Sequence, residues 1–189
     1  MKVIATSLAG SVIIEPKVHG DSRGFFFEAF NASRQPDPAA PISAQQINVS
    51  RSARGVLRGL HYQWPQPQGK LVWVLEGEVF DVAVDLRKGS KTFGQWDGCL
   101  LSASNHRQLW IPEGFAHGFQ VVSESATFCY LCTHPYQADF DRAIHYADAQ
   151  IAVEWPDARH GILSDKDKMA PKLAELQDLL PNDENIGHR

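Results

Sequence analysis

The fold is decided by two extended runs joined by a turn, which read Val72-Trp73-Val74-Leu75-Glu76-Gly77-Glu78-Val79-Phe80-Asp81-Val82-Ala83-Val84-Asp85-Leu86. In the second run, apolar residues alternate with Asp81, Ala83 and Asp85, which is the two-residue period of a β-strand. Glu76-Gly77 supplies the turn before it. The pattern predicts strands with one apolar face and one face that carries carboxylates.

Shorter strand-like runs extend in both directions from this stretch. They are separated by clusters of Gly, Pro, Asn and Ser, and they cover residues 11–14, 24–30, 109–111, 119–122 and 126–131. Short strands at this spacing are typical of a β-sandwich or barrel. The chain is therefore predicted to be all-β.

Two segments depart from the strand pattern. Residues 31–41 contain three prolines and predict an irregular connection or one helical turn. Residues 171–180 begin with a proline and carry leucines at helical spacing. They predict one short amphipathic helix packed on the β core.

Length and composition limit the organisation and the partners. With 189 residues and 43% hydrophobic side chains, the chain is predicted to form one domain over residues 1–180, followed by a mobile tail over residues 181–189. The net charge of -4, with Lys and Arg spread along the chain, argues against nucleic acid and anionic membranes as partners. No signal-peptide pattern and no apolar run of roughly 20 residues is present, so a soluble cytoplasmic protein is expected.

The three cysteines, Cys99, Cys129 and Cys132, do not form a disulfide framework. A single CxxC spacing is a weak signal for metal binding or redox chemistry. All three are therefore predicted to be buried thiols.

Two histidines lie in aromatic and glycine-rich strings. The strings read Gly55-Val56-Leu57-Arg58-Gly59-Leu60-His61-Tyr62-Gln63 and Pro112-Glu113-Gly114-Phe115-Ala116-His117-Gly118-Phe119. A lone histidine in an apolar strand is more often a hydrogen-bonded core residue than a catalyst. Two such histidines, with Arg58 and Lys70 nearby, suggest one site that handles an anionic substrate.

Histidines that point into a jelly-roll barrel raise the possibility of a cupin. Residues 55–61 and 112–117 match the cupin motifs in part, but Gln63 stands where a second ligand histidine would be needed and no Glu follows at the usual spacing. Two imidazoles alone are a poor ligand set for iron, manganese or zinc. We therefore predict a cupin-like, double-stranded β-helix barrel with short flanking helices that uses no metal and no cofactor.

Five strings together closely resemble the dTDP-4-dehydrorhamnose 3,5-epimerase family. They cover residues 20–28, 56–61, 68–72, 77–85 and 107–119, and the similarity runs in order from Val3 to about Pro171. The resemblance implies an isomerase of dTDP-L-rhamnose biosynthesis that inverts C3 and C5 of dTDP-4-dehydro-6-deoxy-D-glucose. It also implies a homodimer that exchanges an N-terminal strand, so some site residues are expected to serve the partner subunit.

The resemblance assigns four catalytic roles. His61 is the base that removes the hydrogens beside the C4 ketone, and Asp167 orients its imidazole, with Asp165 the neighbouring alternative. Tyr130 is the proton donor on the opposite face of the sugar. Lys70 stabilises the enolate oxygen.

The resemblance also implies a set of substrate contacts. Arg23, Arg58 and His117 are expected to meet the sugar and diphosphate, and Tyr136 to stack on thymine. The whole set is Arg23, Glu28, Gln46, Asn48, Arg58, His117, Tyr136, Asp141 and Lys166.

Departures from the family pattern keep alternatives open. Apolar residues replace the usual polar or aromatic ones at Ile47, Val49, Trp73, Leu131 and Pro135, and the connection from His61 to Lys70 is about one residue short. These changes are expected to alter the rim of the pocket. An epimerase for C3 only or C5 only, a metal-dependent cupin oxygenase and a non-catalytic sugar-binding barrel are the alternatives.

Overall fold

The computed structural model describes residues 1–35 and 42–182, and strands dominate both ranges. The strands in these ranges are β1 Lys2–Ala5, β2 Val12–Glu15, β3 His19–Asp21, β4 Gly24–Phe26, β5 Gln46–Ala53, β6 Leu57–Gln63, β7 Lys70–Glu76, β8 Glu78–Asp85, β9 Trp96–Ser102, β10 Gln108–Ile111, β11 Phe115–Val121, β12 Ser125–Cys132 and β13 Asp141–Ala143.

These strands form two large antiparallel sheets and one hairpin. The six-stranded sheet has the order β1-β2-β10-β7-β12-β5, the five-stranded sheet has the order β13-β6-β11-β8-β9, and β3 pairs with β4. From β6 to β12 the chain crosses repeatedly between the two sheets, which is the jelly-roll arrangement. The prediction of an all-β, cupin-like double-stranded β-helix is confirmed.

The main core lies between the two sheets. Val72 and Val74 of β7 meet Val79 and Ala83 of β8, and Phe128 of β12 packs among them. Alternate residues of a strand point to opposite faces, so residues of β7 and β12 that share this parity also face the interior. Lys70 and Tyr130 share it, and the fold therefore directs both side chains between the sheets.

The second predicted run is β8, and both of its faces are buried. Val82 and Val84 lie under the C-terminal segment, while Asp81 and Asp85 are also shielded from solvent. Asp85 remains satisfied because Arg87, Ser90 and Thr92 side chains donate hydrogen bonds to it. The alternation therefore predicts the strand correctly, and the carboxylate face is an interior face with partners.

The helix predicted over residues 171–180 is not formed. The segment makes two 3-10 turns, Leu173–Glu175 and Gln177–Leu179, and its leucines still enter the core. The Asp148 carboxylate accepts a hydrogen bond from the Leu173 N–H, which fixes the start of the first turn. Burial of the leucines therefore determines the position of this segment, and two short 3-10 turns are enough to bury them.

One α-helix, α1 Asp165–Lys168, occurs among the described residues. It begins after Ser164, whose hydroxyl accepts a hydrogen bond from the Asp167 N–H. No helix in the described ranges is long and apolar enough to cross a membrane. Residues 36–41 of the predicted irregular connection and residues 183–189 of the predicted tail lie outside the described residues. The domain boundary at residue 180 stays a prediction.

The predicted buried thiols are found at Cys129 and Cys132, whereas Cys99 is partly exposed. Each of these thiols is free in the structure. Cys132 pairs with Lys70 across the neighbouring strands, which places it beside a predicted catalytic residue.

Candidate functional site

The register of two strands brings the two predicted histidines together. His61 of β6 lies directly opposite His117 of β11. Residues directly opposite in an antiparallel pair point to the same face of the sheet. His117 stacks on Phe128 of the facing sheet, with 5.9 Å between ring centroids, so this face is the interior of the barrel.

His61 forms a close pair with a carboxylate that arrives from the C-terminal segment. Its Nε2 lies 2.5 Å from Oδ1 of Asp167, which is buried while the imidazole is about one-third exposed (34%). Burial has the largest effect on the Asp167 pKa and raises it, but hydrogen bonds with His61, Ser164 and Gly59 together hold the pKa below its usual value. An ionised Asp167 keeps the proton of neutral His61 on Nε2, so Nδ1 has a free lone pair.

His117 forms a second pair, with Asp81. Its Nε2 lies 2.9 and 3.0 Å from the two oxygens of Asp81, and both groups are buried. Burial raises the pKa of Asp81, and His117 opposes this effect. Sequence reasoning missed this partner, although the carboxylate face of the second run was a usable signal.

Lys70 and Tyr130 face this pair of histidines from the other sheet. Burial lowers the pKa of the Lys70 ammonium, and nearby Cys132, Asp141 and Asp81 oppose that change. Within residues 1–35 and 42–182, this ammonium has no hydrogen bond or ion pair. Burial also raises the pKa of the Tyr130 hydroxyl, which therefore stays protonated at neutral pH. An imidazole–carboxylate pair, a lysine and a protonated phenol thus face one interior region.

The rim of the region is a network of polar side chains. Asp141 of β13 accepts a hydrogen bond from the Tyr136 hydroxyl at 3.0 Å and forms an ion pair with Lys166. The backbone N–H of Tyr136 donates to Gln46 Oε1 at 2.8 Å, and the Gln46 amide donates to Asn48. All five residues were predicted as substrate contacts, and the structure places them in one connected group.

The predicted arginines and Glu28 lie in different places. Arg58 of β6 uses its Nε to donate to Ser52, and its charge acts on Tyr130. Arg23 is exposed at the β3–β4 hairpin and pairs with Asp21. Glu28 binds Arg34 and Asn31. Within this chain, Arg23 and Glu28 are therefore not brought to the His61 pair.

Four of the departures from the family pattern lie on the outer face of the six-stranded sheet. Ile47 pairs with Leu131, and Val49 pairs with Cys129, which in turn lies opposite Trp73. Trp73 and Leu131 pack in an outer cluster, and Ile47 and Val49 are exposed. The expectation that these four residues alter the pocket rim is wrong, because alternation points them away from Asn48 and Tyr130.

Pro135 is the departure that lies near the site. Its carbonyl accepts a hydrogen bond from the side chain of Gln63, at the end of β6. Gln63, considered above as a replaced metal ligand, also donates to the Gln66 carbonyl at 2.7 Å and so holds the connection between β6 and β7. No group of three or more His, Cys, Asp or Glu side chains in the described part of the chain is arranged to hold a metal ion.

The chemistry available to this arrangement is proton transfer at carbon. A neutral imidazole held by a carboxylate can accept a proton, and a buried ammonium can stabilise negative charge on a carbonyl oxygen. A protonated phenol on the opposite sheet can return a proton from another direction. The region is suited to inverting a carbon next to a ketone.

Comparison with known proteins agrees with the sequence resemblance. Residues 5–175 match the family model for dTDP-4-dehydrorhamnose 3,5-epimerase. The chain is 51% identical to the dTDP-4-dehydrorhamnose 3,5-epimerase of Pseudomonas aeruginosa over 93% of this chain and 97% of that protein.

Two solved structures place this similarity in three dimensions. The dTDP-6-deoxy-D-glucose-3,5-epimerase of Legionella pneumophila, in complex with dTDP-4-keto-L-rhamnose, is 52% identical, with a TM-score of 0.92 over 96% of this chain and 97% of that one. A 3'-monoepimerase from Streptomyces bikiniensis, in complex with dTDP-quinovose, is 33% identical, with a TM-score of 0.89 over 96% of this chain and 94% of that one.

Proposed function

Because this chain belongs to the dTDP-4-dehydrorhamnose 3,5-epimerase family, we propose that it inverts both C3 and C5 of dTDP-4-dehydro-6-deoxy-D-glucose. Membership makes it an isomerase of nucleotide sugars. Inversion at both carbons is supported by the sequence identity of this chain, which is 51% and 52% to two 3,5-epimerases but 33% to the monoepimerase. The observation that carries the mechanism is the close His61–Asp167 pair that faces Lys70 and Tyr130.

The reaction begins with removal of a proton by His61. The hydrogens on C3 and C5 are both next to the C4 ketone, so their removal gives an enolate. His61 accepts the proton on Nδ1 because Asp167, whose Oδ1 lies 2.5 Å from Nε2, keeps the other proton on Nε2. The same carboxylate stabilises the imidazolium that forms.

Lys70 stabilises the negative charge that develops on the C4 oxygen. Lys70 as a whole is only 8% exposed, so little solvent screens its charge. A preorganised donor at a developing oxyanion contributes about 3–4 kcal/mol in comparable enzymes, which corresponds to roughly 10²–10³ in rate. Burial lowers the pKa of Lys70, so the ammonium is lost at a lower pH than that of a free lysine.

Tyr130 returns a proton on the opposite face of the ring. It lies on β12 of the six-stranded sheet, whereas His61 lies on β6 of the five-stranded sheet. A planar enolate held between the two sheets is therefore approached by the base from one side and the acid from the other. This arrangement produces inversion rather than return of the proton to its original face.

The remaining predicted residues bind the rest of the substrate. Arg58 and His117 contact the sugar and diphosphate, and the fork of guanidinium donors on Arg58 suits phosphate oxygens. The exposed Tyr136 ring stacks on the thymine base. Tyr136 thus binds the base at the rim, whereas His117 and the reacting groups lie inside.

We also propose a homodimer in which Arg23 and Glu28 serve the partner's site. Arg23 is 87% exposed and lies on the separate β3–β4 hairpin. Such a residue can contact a neighbouring subunit more easily than the interior of its own barrel. The dimer binds neither nucleic acid nor membranes, in keeping with the net charge of -4, and the free thiols fit a reducing cytoplasm.

Epimerisation at C3 alone or C5 alone is the second candidate, favoured by the similarity to the monoepimerase. Incubation with the 4-keto sugar in deuterium oxide separates the two. NMR should detect deuterium at C3 and at C5, and an NADPH-dependent 4-keto reductase should convert the product to dTDP-L-rhamnose. Label at one carbon would establish the second candidate, and the absence of label would contradict both.

A further inference from the structure

The connection before Lys70 is attached to a neighbouring segment at three consecutive residues. The His134 Nδ1 hydrogen-bonds to the carbonyl of Pro67 at 3.0 Å, and the Gln68 side chain donates to the carbonyl of His134 at 2.8 Å. The Gly69 N–H donates to the Thr133 hydroxyl at 2.9 Å, and the Thr133 N–H donates back to the Gly69 carbonyl at 3.0 Å. The backbone immediately before Lys70 is therefore held at both polar groups of Gly69.

A carboxylate fixes the orientation of the Thr133 hydroxyl. This hydroxyl donates its proton to Glu113 Oε1 at 2.7 Å, so a lone pair remains to accept the Gly69 N–H. The same Glu113 oxygen lies 3.2 Å from His134 Nδ1. Glu113 thus binds the two residues that hold the connection, and the contact between Gly69 and Thr133 is buried.

Packing closes the other side of Gly69. A Cβ atom at this position would lie 2.7 Å from Cη2 of Trp110 and 3.1 Å from Cγ2 of Thr133. A side chain at this position would therefore collide with the Trp110 ring, so Gly69 is packed closely against it. Hydrogen bonds on one side and packing contacts on the other therefore hold Gly69, the residue that leads into Lys70.

The position of the Lys70 ammonium depends on where its backbone is held, and this backbone pairs with Ile111 and Cys132 next to the anchor. Within the described residues it has no hydrogen bond or ion pair that would fix the end of the side chain. Displacement of a catalytic group by about 1 Å can reduce a rate by roughly 10²-fold. A small shift of the Lys70 backbone should therefore displace the ammonium from the enolate oxygen.

We propose that Thr133 and Glu113 are positioning residues that hold the Lys70 ammonium at the enolate oxygen. This inference rests on the proposed function, in which Lys70 is the oxyanion cation. It assigns a catalytic consequence to a polar cluster, Glu113–Thr133–His134, that has no direct contact with the His61–Asp167 pair.

The test is a double-mutant cycle between Thr133→Val and Lys70→Met. Valine keeps the shape of threonine but removes the hydroxyl, and Thr133→Ser restores the hydroxyl as the matched control. In the protein that keeps Lys70, Thr133→Val should lower the rate of deuterium exchange at C3 and C5 by roughly 3- to 10-fold, which is the range for loss of one neutral hydrogen bond. The affinity for dTDP should stay within about twofold of wild type. Thr133→Ser should recover most of the rate.

In the Lys70→Met background, Thr133→Val should cause no further loss of exchange. An equal loss in both backgrounds, or a loss of dTDP affinity that matches the loss of rate, would overturn the inference. If Thr133→Val does not fold, as judged by its melting temperature, Glu113→Ala replaces it in the same cycle. Glu113 is partly exposed, and its removal frees the orientation of the Thr133 hydroxyl.

The same experiment separates this inference from the proposed function. If the wild-type protein exchanges neither ring hydrogen, or if Lys70→Met leaves exchange unchanged, the proposed function or the role of Lys70 within it is wrong. If Lys70→Met slows exchange but the two substitutions act independently, only the positioning role is wrong.

Discussion

Substitution of Asp167 by asparagine separates its charge from its shape. Asp167 Oδ1 lies 2.5 Å from His61 Nε2, and the carboxylate is buried. Asparagine has the same shape as aspartate, so it fits the same space. The amide oxygen can still accept the Nε2 proton, but without a negative charge. If the amide turns, its NH₂ group donates to Nε2 and moves the imidazole proton to Nδ1, the nitrogen that must act as the base.

The expected loss of kcat can be worked out from the hydrogen bond between His61 and Asp167. Bonds to charged groups contribute about 1.5–3 kcal/mol and neutral ones about 0.5–1.5 kcal/mol, so loss of the charge costs about 1–2 kcal/mol. At 1.36 kcal/mol per tenfold change in rate, this equals roughly 5- to 30-fold in kcat. The wrong tautomer increases the loss, and an analogous Asp→Asn change in a serine protease reaches about 10⁴-fold.

The assay is the rate of deuterium incorporation at C3 and C5, with dTDP binding measured by calorimetry. Asp165→Asn is the matched control, because it makes the same change two residues away on a side chain that is 93% exposed. We expect Asp165→Asn to retain wild-type exchange and both variants to bind dTDP. Exchange by Asp167→Asn within threefold of wild type would refute the role of Asp167 in orienting the base.

Other substitutions test the remaining catalytic roles. His61→Asn should abolish exchange at both carbons while dTDP affinity changes by only a few fold, and persistent exchange would mean that another group is the base. Tyr130→Phe should preserve proton removal but impair inversion, so deuterium would enter starting material faster than product forms; an equal loss of both would rule out a selective donor. Because burial lowers the pKa of Lys70, the contribution of its ammonium to activity should be present below that pKa and lost as pH rises through a value below the ordinary 10.5. Lys70→Arg, whose guanidinium stays charged, should move this alkaline loss to higher pH in a kcat/KM profile, and an unchanged profile would assign the loss to a different group.

Much of the fold follows from local sequence patterns. The alternation in residues 78–85 specifies β8, and the Glu76-Gly77 turn separates it from β7. Strand period and turn composition are properties of neighbouring residues, so sequence alone can reveal them. The C-terminal segment is harder to predict from sequence. The spacing of Leu173, Leu176 and Leu180 is compatible with one helix and equally with successive turns that bury the same side chains.

The missed features of the site depend on long-range register. Asp81 contacts His117 only because β8 lies beside β11 in the five-stranded sheet, and no local pattern specifies that neighbour. The orientation of Ile47 and Val49 likewise follows from the pairing of β5 with β12. Residue resemblance identifies candidate groups, whereas the sheet order determines which groups meet and which face they occupy.

The outer position of Ile47, Val49, Trp73 and Leu131 has a consequence for protein engineering. Each of these strands carries interior residues at alternate positions and outer residues at the positions between them. A mutant library restricted to the exposed outer positions Ile47 and Val49 can therefore be used to change solubility or surface attachment while the reacting groups keep their neighbours. Trp73 and Leu131 pack in the outer cluster, so their replacement would lower stability. A library that varies consecutive residues would mix both faces, and most of its members would lose stability or chemistry for unrelated reasons.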